Sequence, residues 1–305
     1  MKSKNNALIG CLCALGCETL FGFSYLFTKD ATVTASTFAL LGWRFLIAIA
    51  AMSLCAATGL MKINLKGKSI RPLLNVALLN PVIYFIGETF GISLTTASES
   101  GAFLACIPVA SVIASALILK EKPTRWQVVG ILTTLAGVLI TVFAVGGSSR
   151  FSTAGYAMLC IAVIAYALYS VFVERAADYS SAEVTFVMLA AGSIVFSLAA
   201  VIEAAASDNL AALATLPLTD RGFLVAILYQ GVGCSVLAFF LSNVAIAKIG
   251  VNRTSSFIGV ATVVSIIAGV LILREPFSLP QMAGAALIIC GVYVANMKKA
   301  VLDGV

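Results

Sequence analysis

Long runs of apolar residues alternate along the chain with short breaks that carry charged or turn-forming residues. A helix needs about 20 mostly apolar residues to cross a bilayer, because each residue adds about 1.5 Å along its axis. Ten runs meet this requirement, over residues 7–28, 36–60, 71–94, 97–119, 124–145, 152–174, 182–205, 221–247, 252–273 and 278–297. The pattern predicts an all-α membrane protein with ten transmembrane helices, called predicted spans one to ten. The longest break, 206–220, predicts a short interfacial turn of helix.

Basic residues are distributed unevenly over the breaks. With the N-terminus inside the cell, 14 of the 19 Lys and Arg residues fall in inner segments. Outer loops hold four, Lys29, Arg150, Arg221 and Arg274, and Arg44 lies in the membrane. Because cytoplasmic loops are enriched in Lys and Arg, both termini are predicted to be cytoplasmic. We therefore expect a multi-pass protein of the inner (plasma) membrane.

The second half of the chain repeats the first. A shift of 154 residues aligns Ser100–Ile140 with Thr254–Val294 without a gap. The matching polar and glycine positions are Glu121 with Glu275, Gln127 with Gln281, Gly130 with Gly284 and Gly137 with Gly291. This predicts two repeats, 1–147 and 148–305, of five spans each. Since five is odd, the halves must enter the membrane from opposite sides, an arrangement that supports alternating access in transporters.

Composition excludes several classes of protein. Hydrophobic residues make up 61% of the chain and charged residues 10%, with a mean hydropathy of +1.08, so a soluble domain is excluded. There is no histidine, and no nucleophile motif, phosphate-binding loop or metal-binding motif is present. We expect neither an enzyme nor a nucleic-acid-binding protein, with no cofactor and no metal.

Three ionisable residues lie inside predicted spans: Glu18, Arg44 and Glu88. Such side chains are costly in a bilayer and usually face a cavity or a partner. Glu18 lies about 17 Å into predicted span one, near the midplane. It is either a substrate anchor or proton-coupling carboxyl, or a neutral carboxyl held by neighbouring helices. Arg44 and Glu88 share a depth, and they either form a structural ion pair or bind substrate.

Aromatic and uncharged polar side chains accompany these groups. Helical spacing places Tyr25 on the side of Glu18 and Tyr84 on the side of Glu88. An acid beside aromatic rings suits a cationic or zwitterionic amine, although rings also fill helix interfaces. Uncharged candidates of the second half, which could equally be helix–helix hydrogen-bond partners, are Tyr166, Tyr169, Gln230, Ser242 and Asn243.

Several short motifs resemble those of the drug/metabolite transporter superfamily, specifically its EamA-type members. They are Trp43-Arg44-Phe45, Ile107-Pro108-Val109, Leu119-Lys120-Glu121 and Leu273-Arg274-Glu275. The resemblance covers essentially the whole chain and implies a central cavity lined by spans one to four and six to nine, with spans five and ten at the periphery. It says little about substrate. Lys120, Glu121, Arg274 and Glu275 are interpreted as interface anchors and helix caps rather than as a site.

The sequence thus predicts a secondary transporter of a small polar or amphipathic metabolite, either an amino acid or an organic amine. Export is the expected direction, and protons are the candidate coupling ion. A multidrug exporter of lipophilic cations and a lipid-headgroup translocator are the alternatives. The expected partners are the small-molecule substrate and the lipid bilayer, and the protein is expected to be a monomer or a homodimer.

Overall fold

The computed structural model describes residues 2–120, 123–145, 152–275 and 278–296, and these residues form helices and connecting turns with no strand among them. In chain order the helices are α1 Lys2–Thr34, α2 Thr37–Ala57, α3 Arg71–Leu94, α4 Ala97–Leu119, α5 Arg125–Val145, α6 Thr153–Arg175, α7 Ser181–Ala206, α8 Leu210–Thr219, α9 Arg221–Ile249, α10 Val251–Leu271 and α11 Leu279–Asn296. Eight of them, α1–α4, α6, α7, α9 and α10, are long and apolar enough over described residues to cross a membrane. The predicted all-α membrane fold is confirmed.

Two further helices, α5 and α11, coincide with predicted spans five and ten, and α8 occupies the long break between predicted spans seven and eight. The predicted boundary between the halves, at 147/148, lies outside the described residues. The side of the membrane on which each terminus lies stays a prediction.

Polar side chains at the breaks mark where helices begin. Thr96 and Ser180 each accept a hydrogen bond from the backbone amide three residues on, and Glu99 and Glu183 accept from the capping residues' own amides. These capping boxes satisfy amides that have no partner within the helix. They begin α4 and α7 where the hydrophobic pattern predicts spans four and seven.

Helix α1 is longer than predicted. Predicted span one ends at residue 28, but α1 continues to Thr34 because no glycine or proline interrupts residues 29–34. Lys29, predicted to lie in an outer loop, is therefore a helical residue, which is a correction to the predicted boundary.

Irregular turns interrupt three of the membrane-length helices, α3, α4 and α9. Helix α3 has a non-helical residue at Asn80 (φ −141°, ψ 114°), next to Pro81. In α4, helical structure is interrupted at Ala105, ahead of Pro108, and α9 is π-helical over Tyr229–Ala238. Proline removes a helical hydrogen bond and π-helical turns rotate the following side chains, so these segments redirect side chains within the membrane.

The two halves pack against each other along a consistent pattern. Helix α2 packs on α7, α4 on α10 and α5 on α11, each a pair of equivalent helices. Helix α1 packs on α9 just as α6 packs on α3, which is the same contact with the halves exchanged. This reciprocity is what a pseudo-two-fold relation between two repeats requires, and it places the interior of the protein between the halves.

The α5–α11 contact shows the direction of the repeats. A Cβ added at Gly137 would lie 2.6 Å from the carbonyl oxygen of Gly284, and one at Gly291 would lie 2.7 Å from that of Gly130. The two helices therefore run antiparallel, with equivalent glycines exchanging places, as inverted repeats predict. Backbone conformation repeats as well, since Lys120 and Arg274, 154 residues apart, both have left-handed φ values of 60° and 53°.

We predict that Gly137→Val lowers the thermal unfolding temperature, because a side chain there would meet the backbone of Gly284 and Ile288. Overpacking of this kind costs about 1–3 kcal/mol. Thermal unfolding of the purified protein in detergent measures the effect. The neighbouring exposed residue supplies the control, Ala136→Val, and equal unfolding temperatures for the two variants would contradict the close approach of α5 and α11.

Candidate functional site

The ten candidate site residues named from the sequence all lie in the interior, and each is at most 5% exposed. They belong to five helices, α1, α2, α3, α6 and α9, and are Glu18, Tyr25, Arg44, Tyr84, Glu88, Tyr166, Tyr169, Gln230, Ser242 and Asn243. Both halves of the chain contribute. The structure divides them into a cluster around the carboxyls, a network around Arg44 and a hydrogen-bonded group around Asn243.

Aromatic rings connect the two carboxyls. The Tyr84 hydroxyl donates to Glu88 Oε1 at 2.7 Å, one helical turn apart on α3. The ring of Tyr84 packs on that of Tyr166 at 5.4 Å between centroids, within the range of favourable aromatic pairs. Glu18 lies within electrostatic range of Tyr25 and Tyr166, and Glu88 lies within that of Tyr25 and Arg44. We call Glu18, Tyr25, Tyr84, Glu88 and Tyr166 the carboxyl cluster.

Neither carboxyl of this cluster forms a close ion pair with a described residue. Within the described parts of the chain, no Lys or Arg comes within 4 Å of Glu18 or Glu88, and the ion pair found there joins Lys68 to Glu183 instead. The hydrogen bond found for the Glu18 carboxyl comes from the weak thiol donor Cys17 Sγ, at 3.9 Å. A carboxyl in an apolar interior is costly when unpaired. The cluster therefore has an unmet capacity to bind a cation or a proton.

Arg44 donates hydrogen bonds to uncharged side chains of α9 rather than to Glu88. Its Nε donates to Ser235 Oγ at 2.9 Å and its Nη1 to Gln230 Oε1 at 3.0 Å. The guanidinium also lies 4.2 Å from the centroid of the Phe85 ring. Arg44 and Glu88 do not come within 4 Å of each other, and the guanidinium instead meets the Gln230 and Ser235 side chains on the π-helical part of α9. The pairing of Arg44 with Glu88, or their joint role in binding, stays a prediction.

The Arg44 network links α2 and α9 to α1 as well. Gln230 Nε2 donates to Thr28 Oγ1 at 3.1 Å, so one amide side chain joins three helices from both halves. Phe85 and Thr28 were not anticipated from the sequence. Nothing in the pattern distinguishes that phenylalanine or that threonine from the many others in apolar runs.

The third group lies in the second half of the chain. The Tyr169 hydroxyl donates to Asn243 Oδ1 at 2.7 Å, and Asn243 Nδ2 donates to Thr185 Oγ1 at 2.9 Å. Ser242 is the chain neighbour of Asn243, and its hydroxyl oxygen lies 3.5 Å from that of Tyr166. These bonds join α6, α7 and α9. Since the Tyr166 ring also packs on Tyr169, this group adjoins the carboxyl cluster.

A cavity of about 270 Å³ leads from one end of the protein to Asn243. Glu174, Tyr179, Ser181 and Lys248 line it at the ends of α6, α7 and α9. These ends belong to the face that the distribution of basic residues predicts to be cytoplasmic. The cavity therefore reaches from that face to the hydrogen-bonded group beside the carboxyl cluster.

At the opposite end, the turn between α3 and α4 is fixed by hydrogen bonds from other parts of the chain. Lys29 Nζ donates to the carbonyls of Ile92 at 3.2 Å and Ser93 at 3.1 Å, and also to that of Thr95. A cation at the carboxyl end of α3 complements both the free carbonyls and the helix dipole. The sequence missed this role because Lys29 was assigned to a loop.

Glu275 holds the other side of the same turn. Its carboxylate accepts from the amides of Ala97 at 2.8 Å and Ser98 at 3.0 Å, at the amino end of α4. The predicted capping role of Glu275 is confirmed, although the helix that it caps belongs to the first half of the chain. Its repeat equivalent, Glu121, lies outside the described residues. Lys29 and Glu275 together join α1 and the segment after α10 to one turn.

Comparison with known proteins agrees with this architecture. The model of the EamA-like transporter family matches the chain twice, over residues 8–143 and 153–297. The uncharacterized transporter YcxC of Bacillus subtilis is 32% identical over 281 residues, which are 91% of this chain and 89% of that protein. A solved crystal structure superposes with a TM-score of 0.68 over 96% of this chain and 98% of the other, at 19% identity, and so shares the fold.

One relative has a more specific name. A probable terminal-alkyne amino-acid exporter of Streptantibioticus cattleyicolor is 27% identical over 205 residues, 66% of this chain and 65% of that protein. Two copies of the family domain, a relative above 30% identity along nearly the whole length, and membrane-length helices in two reciprocal halves agree. The chain belongs to the EamA-like transporter family and is a multi-pass membrane transporter.

Proposed function

We propose that this transporter exports a small amine-bearing metabolite, an amino acid or an organic amine, across the inner (plasma) membrane by alternating access. The observation that carries the proposal is the carboxyl cluster, in which Glu18 and Glu88 lie beside the same tyrosine rings and no Lys or Arg of the described residues lies within 4 Å of either carboxyl. Residues 1–147 and 148–305 act as the two moving halves. The cluster lies where they meet.

An ammonium group suits this site for two physical reasons. A carboxylate that is oriented by the Tyr84 hydroxyl accepts a charge-assisted hydrogen bond, which is stronger than a neutral one. The Tyr84 and Tyr166 rings, 5.4 Å apart, offer faces to a cation, an interaction of about 2 kcal/mol when desolvated. An apolar or anionic solute would leave the carboxyls unpaired, so the site discriminates by charge.

Two observations give the substrate a path that begins in the cytoplasm, as export requires. The cavity of about 270 Å³ opens at the predicted cytoplasmic face, and the α3–α4 turn is held at the other end by Lys29 and Glu275. A substrate can thus load from the cytoplasm and leave after that turn separates from α1. The name of the Streptantibioticus relative supports an amino-acid substrate over other amines.

Proton coupling is assigned to Glu18. A carboxyl at about half the depth of the membrane, with a weak thiol donor as its described hydrogen-bond partner, is most stable when it holds either a cation or a proton. Binding of the amine on the cytoplasmic side displaces the proton from Glu18. After the amine has left on the outer side, Glu18 takes up a proton there, and the carrier returns without amine. A proton gradient then drives export without a nucleotide.

Arg44 is assigned a scaffold role in this mechanism. Its hydrogen bonds to Gln230 and Ser235 join the first half to the second, and its contact with Phe85 supports the helix that carries Glu88. The substrate amine is bound by the carboxyls and tyrosine rings of the carboxyl cluster and not by Arg44. A multidrug exporter of lipophilic cations could use the same rings, and the experiments below separate it by its tolerance of bulky aromatic cations.

Glu88→Gln is expected to weaken amine binding about tenfold, because a neutral amide replaces one charged acceptor. The change is measured with the reconstituted protein in counterflow of radiolabelled amino acids and amines. The quantity compared is the concentration that gives half-maximal exchange. Glu99→Gln is the matched control, since Glu99 is a buried carboxyl whose capping role glutamine can fill. Absence of counterflow for every amino acid and amine tried would reject the proposed substrate class, and equal transport of ethidium-type cations would favour the multidrug alternative.

Glu18→Gln is expected to abolish transport driven by a pH gradient while leaving substrate exchange at equal pH measurable. Glutamine cannot take up and release the proton that the cycle requires. Uptake into proteoliposomes with and without an imposed pH difference distinguishes the two activities. Full, pH-dependent transport by this variant would show that the proton is carried elsewhere.

Gln230→Leu is expected to lower stability by about 1–3 kcal/mol, because it leaves the buried Nη1 donor of Arg44 and the buried Oγ1 acceptor of Thr28 without their partner. Gln230→Glu keeps an acceptor for Arg44 and should retain most of the unfolding temperature. Thermal unfolding of both variants tests the scaffold role. A selective loss of substrate binding in Gln230→Leu at unchanged stability would instead make the Arg44 network part of the binding site.

A further inference from the structure

Helix α8 lies on the outside of the protein, at the side predicted to face away from the cytoplasm. None of its residues is buried, and Leu218 is 84% exposed although the helix is apolar. The indole Nε1 of Trp43 donates to the carbonyl of Leu213 at 3.0 Å and ties α8 to α2. A short apolar helix in this position lies in the membrane interface.

An apolar cavity of about 280 Å³ separates α8 from α2 and α7. Its walls include Trp43, Leu46, Val201, Leu210 and Ala214. The side faces of this cavity are thus formed by helices of both halves. Its shape and lining fit an aliphatic chain.

A second cavity of about 470 Å³ continues from the first, since Ala200 and Leu213 line both. Its lining is mixed, and beside alanine and leucine side chains it includes the polar residues Ser36, Glu203, Ser207 and Asn209. The combined space changes from apolar to polar along its length. A molecule that matches it has an aliphatic tail and a hydrogen-bonding head.

The polar cavity is acidic. Among its lining residues, all within the described ranges, Glu203 alone is charged, and it accepts a hydrogen bond from the Ser36 hydroxyl. Thr34, also in the lining, donates to Asp220 Oδ2 at 2.9 Å. Hydrogen bonds from the Phe223 amide and the Thr34 hydroxyl lower the pKa of Asp220, so this carboxylate stays ionised beside the cavity at neutral pH. An ammonium group is favoured there, and a head with a net negative charge is repelled.

We propose that these two cavities bind one phospholipid with a primary-amine headgroup, of the phosphatidylethanolamine type. An acyl chain occupies the apolar cavity and the ammonium group donates to Glu203. A primary ammonium has three donors, whereas a quaternary headgroup has none, so the acidic and hydroxyl-rich cavity selects the ethanolamine lipid over the choline lipid. The lipid bridges α2 and α7, which belong to different halves, and so stabilises their contact apart from the carboxyl cluster.

The test is selective retention of lipid by the purified full-length transporter. Native mass spectrometry and thermal unfolding are run after addition of phosphatidylethanolamine, phosphatidylcholine or phosphatidylglycerol with identical acyl chains. The ethanolamine lipid should be retained best and should raise the unfolding temperature most. Glu203→Gln should weaken its retention about tenfold, the loss expected for one charge-assisted hydrogen bond.

Ala214→Trp should weaken retention of all three lipids, because the indole would fill the apolar cavity from the exposed helix α8. Leu218→Trp on the same helix and Asp178→Asn on an exposed turn are the matched controls, since neither residue lines the cavities. Equal retention of the three lipids by the unaltered protein would overturn the proposal, as would undiminished retention by Ala214→Trp. Tighter binding of a soluble alkylamine than of the ethanolamine lipid would also overturn it. Amine counterflow is measured separately, so failure here leaves the proposed function untouched.

Discussion

A bilayer interior supplies no water to hydrogen-bond the groups placed inside it, and most features of this protein follow from that constraint. Backbone groups satisfy one another within helices, as they must in hydrocarbon. Side chains with polar atoms have to find partners on neighbouring helices, and Arg44 Nη1, Gln230 and Thr28 do so across the halves, whereas the buried Arg44 Nη2 has no hydrogen-bond partner in the described protein. Glu18 and Glu88 are also exceptions, because no Lys or Arg of the described protein lies within 4 Å of their carboxyls. Groups that remain unsatisfied in such a medium indicate where a ligand or a proton belongs.

The two halves are alike in the helix contacts that form the scaffold, but they differ in the residues of the candidate site. The α5–α11 contact, with Gly137 against Gly284 and Gly291 against Gly130, treats the two halves alike. The carboxyl cluster differs between the halves. Ser242 stands at the repeat position of Glu88 but carries no charge, and its hydroxyl oxygen lies 3.5 Å from that of Tyr166. Nearly equivalent halves provide two packings of similar energy. Their different polar residues make the interior between them a site for one kind of solute.

The two ends of the protein also differ from each other. At one end, Lys29 and Glu275 hold the α3–α4 turn through opposite helix termini, so separation of that turn must break several charge-assisted hydrogen bonds together. At the other, a cavity already reaches Asn243. The proposed lipid lies outside this path, against α2 and α7, where it would act on the contact between halves rather than on the solute.

Much of this architecture was readable from the sequence because the bilayer imposes a length and a polarity on every span. Apolar runs located the helices, and the 154-residue repeat predicted antiparallel α5 and α11. The candidate polar residues proved to be buried together, since polar side chains at membrane depth have nowhere else to go. Tertiary structure alone decided their partners. Arg44 turned to Gln230 because of π-helical turns in α9, Lys29 and Glu275 met at one turn, and α8 enclosed two cavities. Helical periodicity specifies which face a residue occupies, but contacts between distant helices depend on local backbone distortions and on packing that no single segment contains.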